Sequence, residues 1–283
     1  MRNTKKLSIL LFLSLAVTVA FSFGNPKNSK KKADSDVRIV TLGPAATEIV
    51  FAVGAQDQLV ARTDLCDYPA QAANYPSVGG FAGNTISLEA IISYEPTLVY
   101  CFAGMHDYLV QPLKDAGIEV YVSNAVSIDA VKQEVLDIGK LTGHEKEAQK
   151  VVKEMNASLS RTEKYIKSKR KGKAAPKVYW EVWNDPMMSA GKNSFMNDII
   201  QKAGGNNIFG NLAEAYPMVS EEAVLLADPD YIFYSGDGMG GGKPSDIFEP
   251  KGGFHYMGDD DRFVRSTPRC VEAVEKLAKI LWP

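Results

Sequence analysis

The chain has 283 residues, of which 45% are hydrophobic, with 23 glycines and 14 prolines, and this balance favours an ordinary globular protein over a disordered one. The formal net charge of -2 excludes the basic excess with which proteins neutralise a nucleic-acid backbone. Three cysteines are too few for a scaffold built from disulfides, although a bond between Cys66 and Cys101 stays open.

The N-terminal residues 1–24 predict a secretory signal peptide, because basic residues precede an uncharged apolar stretch that ends at Phe23. That stretch, roughly 17 residues, is short for a membrane-spanning helix, and an uncleaved anchor is the alternative. Residues 25–36 are polar and charged, which favours a solvated tether. We therefore expect an exported protein whose folded part begins near Val37, with the cleavage point left open.

The segment 37–142 alternates short apolar, β-branched runs with runs of helical apolar spacing. Glycine or proline follows several of these runs and marks their ends. Strands that alternate with helices favour a parallel sheet covered on both faces, which predicts an N-terminal lobe. The strands are predicted at 37–42, 59–61, 98–100 and 119–122, and the helices at 47–53, 87–94, 107–116 and 127–140.

Residues 143–172 predict a single long connecting helix. From Glu145 to about Lys169, one apolar stripe recurs at helical spacing among Lys, Glu and Arg residues. A helix of this length extends roughly 37 Å, enough to join two lobes.

The alternation restarts in 173–283 and predicts a C-terminal lobe. The fold class is therefore α/β, with two Rossmann-like βα lobes joined by one long helix. Strands are predicted at 178–182 and 230–234, and helices at 194–203, 220–227 and 268–281.

One phrase occurs twice in the chain, as ISLEAIISYEPTLVY at 86–100 and as VSEEAVLLADPDYIF at 219–233. Ser87 and Ser220 occupy the position of a helix N-cap in the two copies. We therefore expect the same surface helix in each lobe.

Each copy also places a glutamate, Glu89 or Glu222, in the first helical turn. The ordinary interpretation is stabilisation by the helix dipole, worth about 0.3 to 1 kcal/mol. The alternative is a symmetric pair of exposed carboxylates that docks onto a two-fold partner.

Aromatic and sulfur-containing side chains concentrate in the turns that follow predicted strands. Ligands of parallel α/β sheets meet these turns, so a large planar, apolar ligand between the lobes is predicted. Arg265, Arg269 and the acidic run 259–261 would contact its polar edges or form exposed salt bridges. The aromatic and sulfur-containing residues are Phe81, Phe102, Met105, Trp183, Met187, Met188 and Tyr216.

Motifs for catalysis or metal binding are weak in this sequence. Its three histidines, His106, His144 and His255, form no paired metal motif, and no nucleophile signature occurs. Residues 236–242 match part of a dinucleotide loop, but Pro244 interrupts the helix that such a loop requires. We expect no enzyme, with an exported oxidoreductase or hydrolase using this loop, or an adhesin or sensor, as alternatives.

In order and spacing, eight motifs resemble the periplasmic substrate-binding proteins of ABC importers for cobalamin, haem and ferric siderophores, and most closely the cobalamin binders. They are RIVTLGPAATEIVFAVG, CDYPAQA, VGGF, SLEAI with EPTLV, EVWNDPMMSAG, GGNNIF, YPMVSEEAVL and STPR. The resemblance covers nearly all of 37–281. It implies two lobes with limited hinge motion, a periplasmic location, a monomer, and docking of Glu89 and Glu222 onto arginines of two transmembrane subunits.

The resemblance also implies a ligand site in the interlobe cleft, without catalytic residues, metal or a cofactor other than the ligand. A corrinoid is the expected ligand, although Leu65 stands where the cobalamin binder has a tyrosine. Haem or a ferric siderophore is the alternative, with Tyr256, His255 or His106 as iron ligand. The expected ligand-binding residues are Phe81, Phe102, Trp183, Met188, Tyr216, Asp261 and Arg265.

Overall fold

The fold is described from a computed structural model of the chain. The part of the chain that it describes consists of residues 37–81, 83–235, 244–258 and 260–283. The predicted signal peptide, polar tether and glycine-rich loop (236–242) lie outside these residues.

The first sheet has four parallel strands in the order β2-β1-β3-β4. Helices cover both faces, which explains why β1 is buried throughout. The first helix begins three residues earlier than predicted because Pro44 is suited to the first helical turn. The elements are β1 (Ile39–Thr41), α1 (Pro44–Ala52), β2 (Leu59–Arg62), α2 (Leu88–Ser93), β3 (Leu98–Phe102), α3 (Asp107–Asp115), β4 (Glu119–Ser123) and α4 (Ile128–Thr142).

The connecting helix α5 spans Glu145–Arg170 and packs against α4. The two helices approach closely at Gly139, where an added Cβ would overlap the Cβ of Ala148. Met155 and Ile166 lie on its buried stripe, as the spacing predicted.

The second sheet follows the order β6-β5-β8-β9, with β7 also pairing β5. All its pairings are parallel except the antiparallel β5–β6 hairpin. The sequence missed β6, β7 and β9 because segments of two or three residues carry no periodicity. The elements are β5 (Lys177–Trp183), β6 (Met188–Ser189), α6 (Phe195–Lys202), β7 (Asn206–Asn207), α7 (Glu221–Ala227), β8 (Tyr231–Tyr234), β9 (Phe254–Tyr256) and α8 (Cys270–Leu281).

One large apolar cluster contains buried residues of both sheets, of α5 and of α8. Trp180 stacks on Phe233 within it, with ring centroids 5.5 Å apart. The two halves of the chain therefore share part of their core, and the predicted α/β fold class is confirmed. The lobe boundaries at 142 and 172 stay predictions. Within the described ranges, none of the helices combines the length and hydrophobicity needed to cross a membrane.

Candidate functional site

Phe81 and Phe102 form an aromatic pair at the carboxyl edge of the first sheet. Phe102 is the last residue of β3, and Phe81 lies in the loop that follows β2. Their ring centroids are 6.3 Å apart, and both side chains are half-buried. The structure thus brings together two of the predicted ligand-binding residues.

Gly43, directly after β1, forms the base on which the aromatic pair packs. A Cβ added there would lie 2.6 Å from Cε2 of Phe81 and 2.7 Å from Cε2 of Phe102. Its φ of 151° is also one that side chains other than glycine rarely adopt. The absence of a side chain is what lets both rings approach the backbone at this edge.

Three further predicted residues lie on the β5–β6 hairpin and the loop beyond it. Trp183 and Met188 oppose each other in the antiparallel register, and Met188 is bridged in turn to Met218. The indole Nε1 of Trp183 donates to the carbonyl of Asp185 at 2.8 Å, which fixes the ring at the end of β5. Tyr216 is exposed. Phe81 and Phe102 thus form one group in the first lobe, and Trp183 and Met188 form another in the second.

An ion-pair network joins the two lobes, centred on Glu48 of α1. Its side chain is only 3% exposed. Arg265 Nη1 lies 3.0 Å from Glu48 Oε1 and 2.7 Å from Asp67 Oδ1. Arg269 makes two hydrogen bonds of 2.8 Å to the Glu48 carboxylate. The predicted pair of Asp261 and Arg265 does form, at 3.0 Å, but as one branch of this network.

Sequence reasoning considered Arg269 as a contact to the polar edge of the ligand or as an exposed salt-bridge partner, and it missed Glu48 and Asp67. The signal for Glu48 was available, because a charged residue inside an apolar helical run is buried only with a partner. The Arg269 guanidinium also lies 3.6 Å from the centroid of the Tyr68 ring, within cation–π range.

The network shifts the ionisation of its members. The hydrogen bond from Arg265 lowers the pKa of Asp67. Burial raises the pKa of Asp261, and the charge of Arg265 only partly opposes that effect. Burial disfavours the charge of Arg265, yet its carboxylate partners raise its pKa above the usual value. Arg265 is therefore a permanently charged group that is already partnered in this structure.

A cavity of about 630 Å³ lies beside this network and not at the aromatic pair. Glu48, Tyr68 and Arg269 line it together with Phe51 of α1. None of the predicted apolar binding residues lines it, so the cavity does not coincide with the predicted ligand site.

The three residues named as possible iron ligands differ in burial and in partners. His106, one of the three iron ligands that the alternative named, is buried, and both of its ring nitrogens are hydrogen bonded, so it is not available to iron in this structure. His255 stacks on Phe233 with ring centroids 5.0 Å apart, while Tyr256 is exposed. Among the described residues, no group of three or more His, Cys, Asp and Glu side chains could hold a metal ion.

The three cysteines and the carboxyl of Glu181 are buried. Cys66, Cys101 and Cys270 are buried free thiols, so the disulfide between Cys66 and Cys101 that the sequence allowed is not formed. Burial raises the pKa of Glu181 to about 7, although the Tyr179 hydroxyl donates to it at 3.1 Å.

Glu89 and Glu222 lie in the first turns of α2 and α7, with their carboxylates exposed to solvent. The Ser87 hydroxyl lowers the pKa of Glu89, and a backbone amide hydrogen bond lowers that of Glu222. Both carboxylates are therefore charged at neutral pH and available to a partner.

The sequence model of a family described as periplasmic binding protein matches residues 39–250. The chain belongs to this periplasmic binding protein family. The prediction of a binding protein and not an enzyme is thereby confirmed.

Two curated relatives cover most of this periplasmic binding protein. The vitamin B12-binding protein of Vibrio parahaemolyticus is 26% identical over 84% of this chain and 86% of its own. An uncharacterized ABC transporter substrate-binding lipoprotein of Bacillus subtilis is 29% identical over 99% and 98% of the two chains.

Solved structures agree on the fold. The crystal structure of the vitamin B12 binding protein BtuF of Vibrio cholerae matches with a TM-score of 0.73 and 25% identity, covering 86% of this chain and 96% of its own. The heme-binding protein RhuT from Roseiflexus matches with a TM-score of 0.74 and 23% identity, covering 87% and 98%. The second likeness supports the fold alone.

Proposed function

We propose that this protein captures a corrinoid between its lobes and delivers it to an ABC importer. The observation that carries the proposal is the aromatic pair, half-buried over Gly43 at a carboxyl sheet edge. The two rings, inclined to each other by 58°, offer apolar surface to a ligand, and burial of apolar ligand area is worth about 25 cal/mol per Å². The relative named as a vitamin B12-binding protein supports a corrinoid as the ligand.

The hairpin residues Trp183 and Met188, with Tyr216, supply the apolar contacts of the second lobe. Asp261 and Arg265 orient the polar edge of the ligand. Because Arg265 also binds Glu48 and Asp67, a ligand amide or phosphate competes with partners already present. The ligand is therefore oriented by exchange of hydrogen bonds with the ion-pair network.

Calorimetry with the mature protein tests the ligand. Cyanocobalamin is expected to bind and to lose about tenfold in affinity, or more, in Phe81→Leu and in Phe102→Leu, which keep apolar volume but remove a ring. If haemin or a ferric siderophore binds and cyanocobalamin gives no heat, the proposal of a corrinoid ligand is refuted. Tyr256 would then be the iron ligand to test by mutation.

Delivery is proposed to use Glu89 and Glu222, one on each lobe of a monomeric protein in the periplasm after export by residues 1–24. The partner would be two transmembrane subunits that present arginines to these carboxylates. The similarity to an ABC transporter substrate-binding lipoprotein supports this class of partner.

Charge reversal tests the docking. The double variant Glu89→Arg, Glu222→Arg is expected to abolish cellular uptake of labelled corrinoid while keeping calorimetric affinity. Glu163→Arg, which changes an exposed carboxylate on α5, is the control and should leave uptake unchanged. Normal uptake by the double variant would refute docking through these residues.

A further inference from the structure

His106 contacts both members of the aromatic pair through backbone and ring. Its Nδ1 lies 3.1 Å from the backbone nitrogen of Phe102, and its Nε2 lies 2.7 Å from the carbonyl oxygen of Phe81. Its ring centroid is 5.9 Å from that of Phe81 and 6.0 Å from that of Phe102. One buried imidazole therefore touches both residues proposed to contact the ligand.

The two hydrogen bonds determine the tautomer. The Phe102 amide is a donor, so Nδ1 must accept and carry no proton. The Phe81 carbonyl is an acceptor, so Nε2 must carry the proton and donate. Only the neutral Nε2–H imidazole satisfies both groups at once.

The bond to Phe81 also ties a loop to the sheet. Phe81 lies outside the regular elements, whereas His106 directly precedes α3 and accepts from the last residue of β3. A second tie, from the Tyr108 hydroxyl to the carbonyl of Gly83 at 2.6 Å, holds the same loop at a residue outside the aromatic pair. The effect of His106 on the rings can therefore be separated from general anchoring of the loop.

We propose that His106 is a positioning residue for ligand binding, which sets the geometry of Phe81 and Phe102 as a neutral imidazole hydrogen bonded to both. The proposal rests on the proposed function in that the aromatic pair contacts the ligand. His106 itself does not touch the ligand and acts through the two rings.

A pH dependence follows from this geometry. Protonation of Nδ1 would place two N–H donors opposite each other and remove the bond to Phe102. Burial lowers the pKa of His106 below its usual 6.5, while the Phe81 carbonyl and the charge of Asp107 act in the opposite direction. Because the folded pKa is lowered, the neutral arrangement is stable above pH 6.5 and is lost as pH falls through the folded pKa.

The first experiment needs no ligand. Long-range ¹H–¹⁵N NMR of the full mature chain is expected to show His106 as the neutral Nε2–H tautomer at pH 7.5, with a slowly exchanging Phe102 amide. An Nδ1–H tautomer or an imidazolium at that pH would overturn the proposal. This measurement tests the hydrogen bonds of His106 without any ligand, so a wild-type protein that gives no heat with cyanocobalamin overturns only the proposed corrinoid function.

The second experiment uses cyanocobalamin calorimetry on variants. His106→Phe keeps ring volume without hydrogen bonds and is expected to bind about tenfold more weakly, which is about 1.4 kcal/mol. His106→Asn keeps an acceptor for the Phe102 amide but does not reach Phe81, so an intermediate loss is expected and provides a second variant if the first does not fold. Unchanged affinity in these variants, or an equal loss in the loop control Tyr108→Phe, would overturn the proposal.

The pH profile separates positioning from a merely structural role. Wild-type affinity should fall as the pH drops below 6.5 through the lowered pKa of His106, and this fall should be lost in His106→Asn. His144→Gln and His255→Gln change histidines that make no contact with the aromatic pair in the described structure, and they should keep the wild-type profile. A wild-type profile that persists in His106→Asn would refute the assignment.

Discussion

The repeated helices α2 and α7 are held by matching hydrogen bonds, although they lie in different lobes. At the N-terminus, the Ser87 hydroxyl accepts from the Ala90 amide at 3.2 Å, and the Ser220 hydroxyl accepts from the Ala223 amide at 3.3 Å. These bonds satisfy one free N–H group of the first turn in each helix.

The C-terminal ends match as well, through a basic residue at the start of each sheet. Arg38 Nη2 donates to the carbonyl of Tyr94 at 2.6 Å, and Lys177 Nζ donates to the carbonyl of Ala227 at 2.8 Å. Each cation thus meets the last carbonyls of its helix, where a positive charge is favoured.

The same two basic residues also donate their backbone N–H groups to the residue after the repeated proline. That residue is Thr97 in the first copy and Asp230 in the second, with bonds of 2.9 Å and 2.8 Å. In both copies, the hydrogen bonds that tie the helix to its sheet therefore lie at the C-terminal end of the helix, while the serine caps its N-terminus.

The faces proposed to bind the ligand differ between the two lobes, although the surface helices of the two lobes match. The first lobe presents an aromatic pair over Gly43, held by His106, and the second presents Trp183 and Met188 on an antiparallel hairpin. A two-fold partner requires equal surfaces, whereas a ligand without two-fold symmetry requires unequal ones. The difference supports docking through the repeated helices and ligand binding through the unlike faces.

The largest expected effect comes from breaking the ion-pair network that joins the two lobes. Glu48→Gln should lower the free energy of unfolding by about 3 kcal/mol, because two guanidinium groups lose a buried charge partner. Urea denaturation measures this loss.

The matched control is Asp67→Asn, because that carboxylate binds the same Arg265 but is 64% exposed. It should cost less than about 1 kcal/mol. Equal losses in the two variants would show that burial of Glu48 does not set the strength of the network.

The next effect tests the ligand face of the first lobe alone. Gly43→Ala would place a methyl group against both rings of the aromatic pair, and such overpacking costs about 1 to 3 kcal/mol. Cyanocobalamin affinity should therefore fall by about tenfold or more in calorimetry. Gly117→Ala, also at positive φ but with open space around the added Cβ, should leave affinity unchanged.

A smaller effect tests the equality of the repeated helices. Ser87→Ala and Ser220→Ala should each cost about 1 kcal/mol, because each removes one N-cap hydrogen bond of nearly equal length. Denaturant titration of both variants gives the comparison directly. If only one of the two variants loses stability, the two caps contribute unequally to the free energy of unfolding despite their similar geometry.

The smallest effect distinguishes the two exposed glutamates. The Ser87 hydroxyl is the main cause of the lowered pKa of Glu89, whereas a backbone amide is the main cause for Glu222. In NMR titrations, Ser87→Ala should therefore raise the pKa of Glu89 more than Ser220→Ala raises that of Glu222. The reverse order would contradict this assignment of causes.

The sign of the pH dependence is the same for both carboxylates. Their folded pKa values lie below the ordinary 4.5, so their contribution to stability is present above pH 4.5. It is lost as pH falls through the folded values.

Sequence patterns predicted the long elements well because their periodicity is local. The helical stripe of α5 and the caps of α2 and α7 lie where the spacing and the two serines placed them. Elements that exist only through pairing with distant strands, such as the Met188–Ser189 strand β6, were missed.

The sequence named the two aromatic residues of the candidate site but gave no indication of how they are arranged. Phe81 and Phe102 were identified separately, while the glycine beneath them and the histidine between them were not. Gly43 was interpreted only as a turn residue after the first strand, and His106 was considered only as an iron ligand. Neither role could be predicted, because Gly43 and His106 each lie more than 20 positions from Phe81 in the sequence.

The sequence by itself determined two α/β halves, a long connector and a repeated, capped surface helix, because each depends on residues within one or two helical turns. Only the tertiary structure decided that Glu48 binds Arg265 and Arg269 from the other end of the chain. It also decided that one imidazole links Phe81 to Phe102. Hydrogen bonds and ion pairs act over a few ångströms whatever the sequence separation, so folding must bring the groups together first.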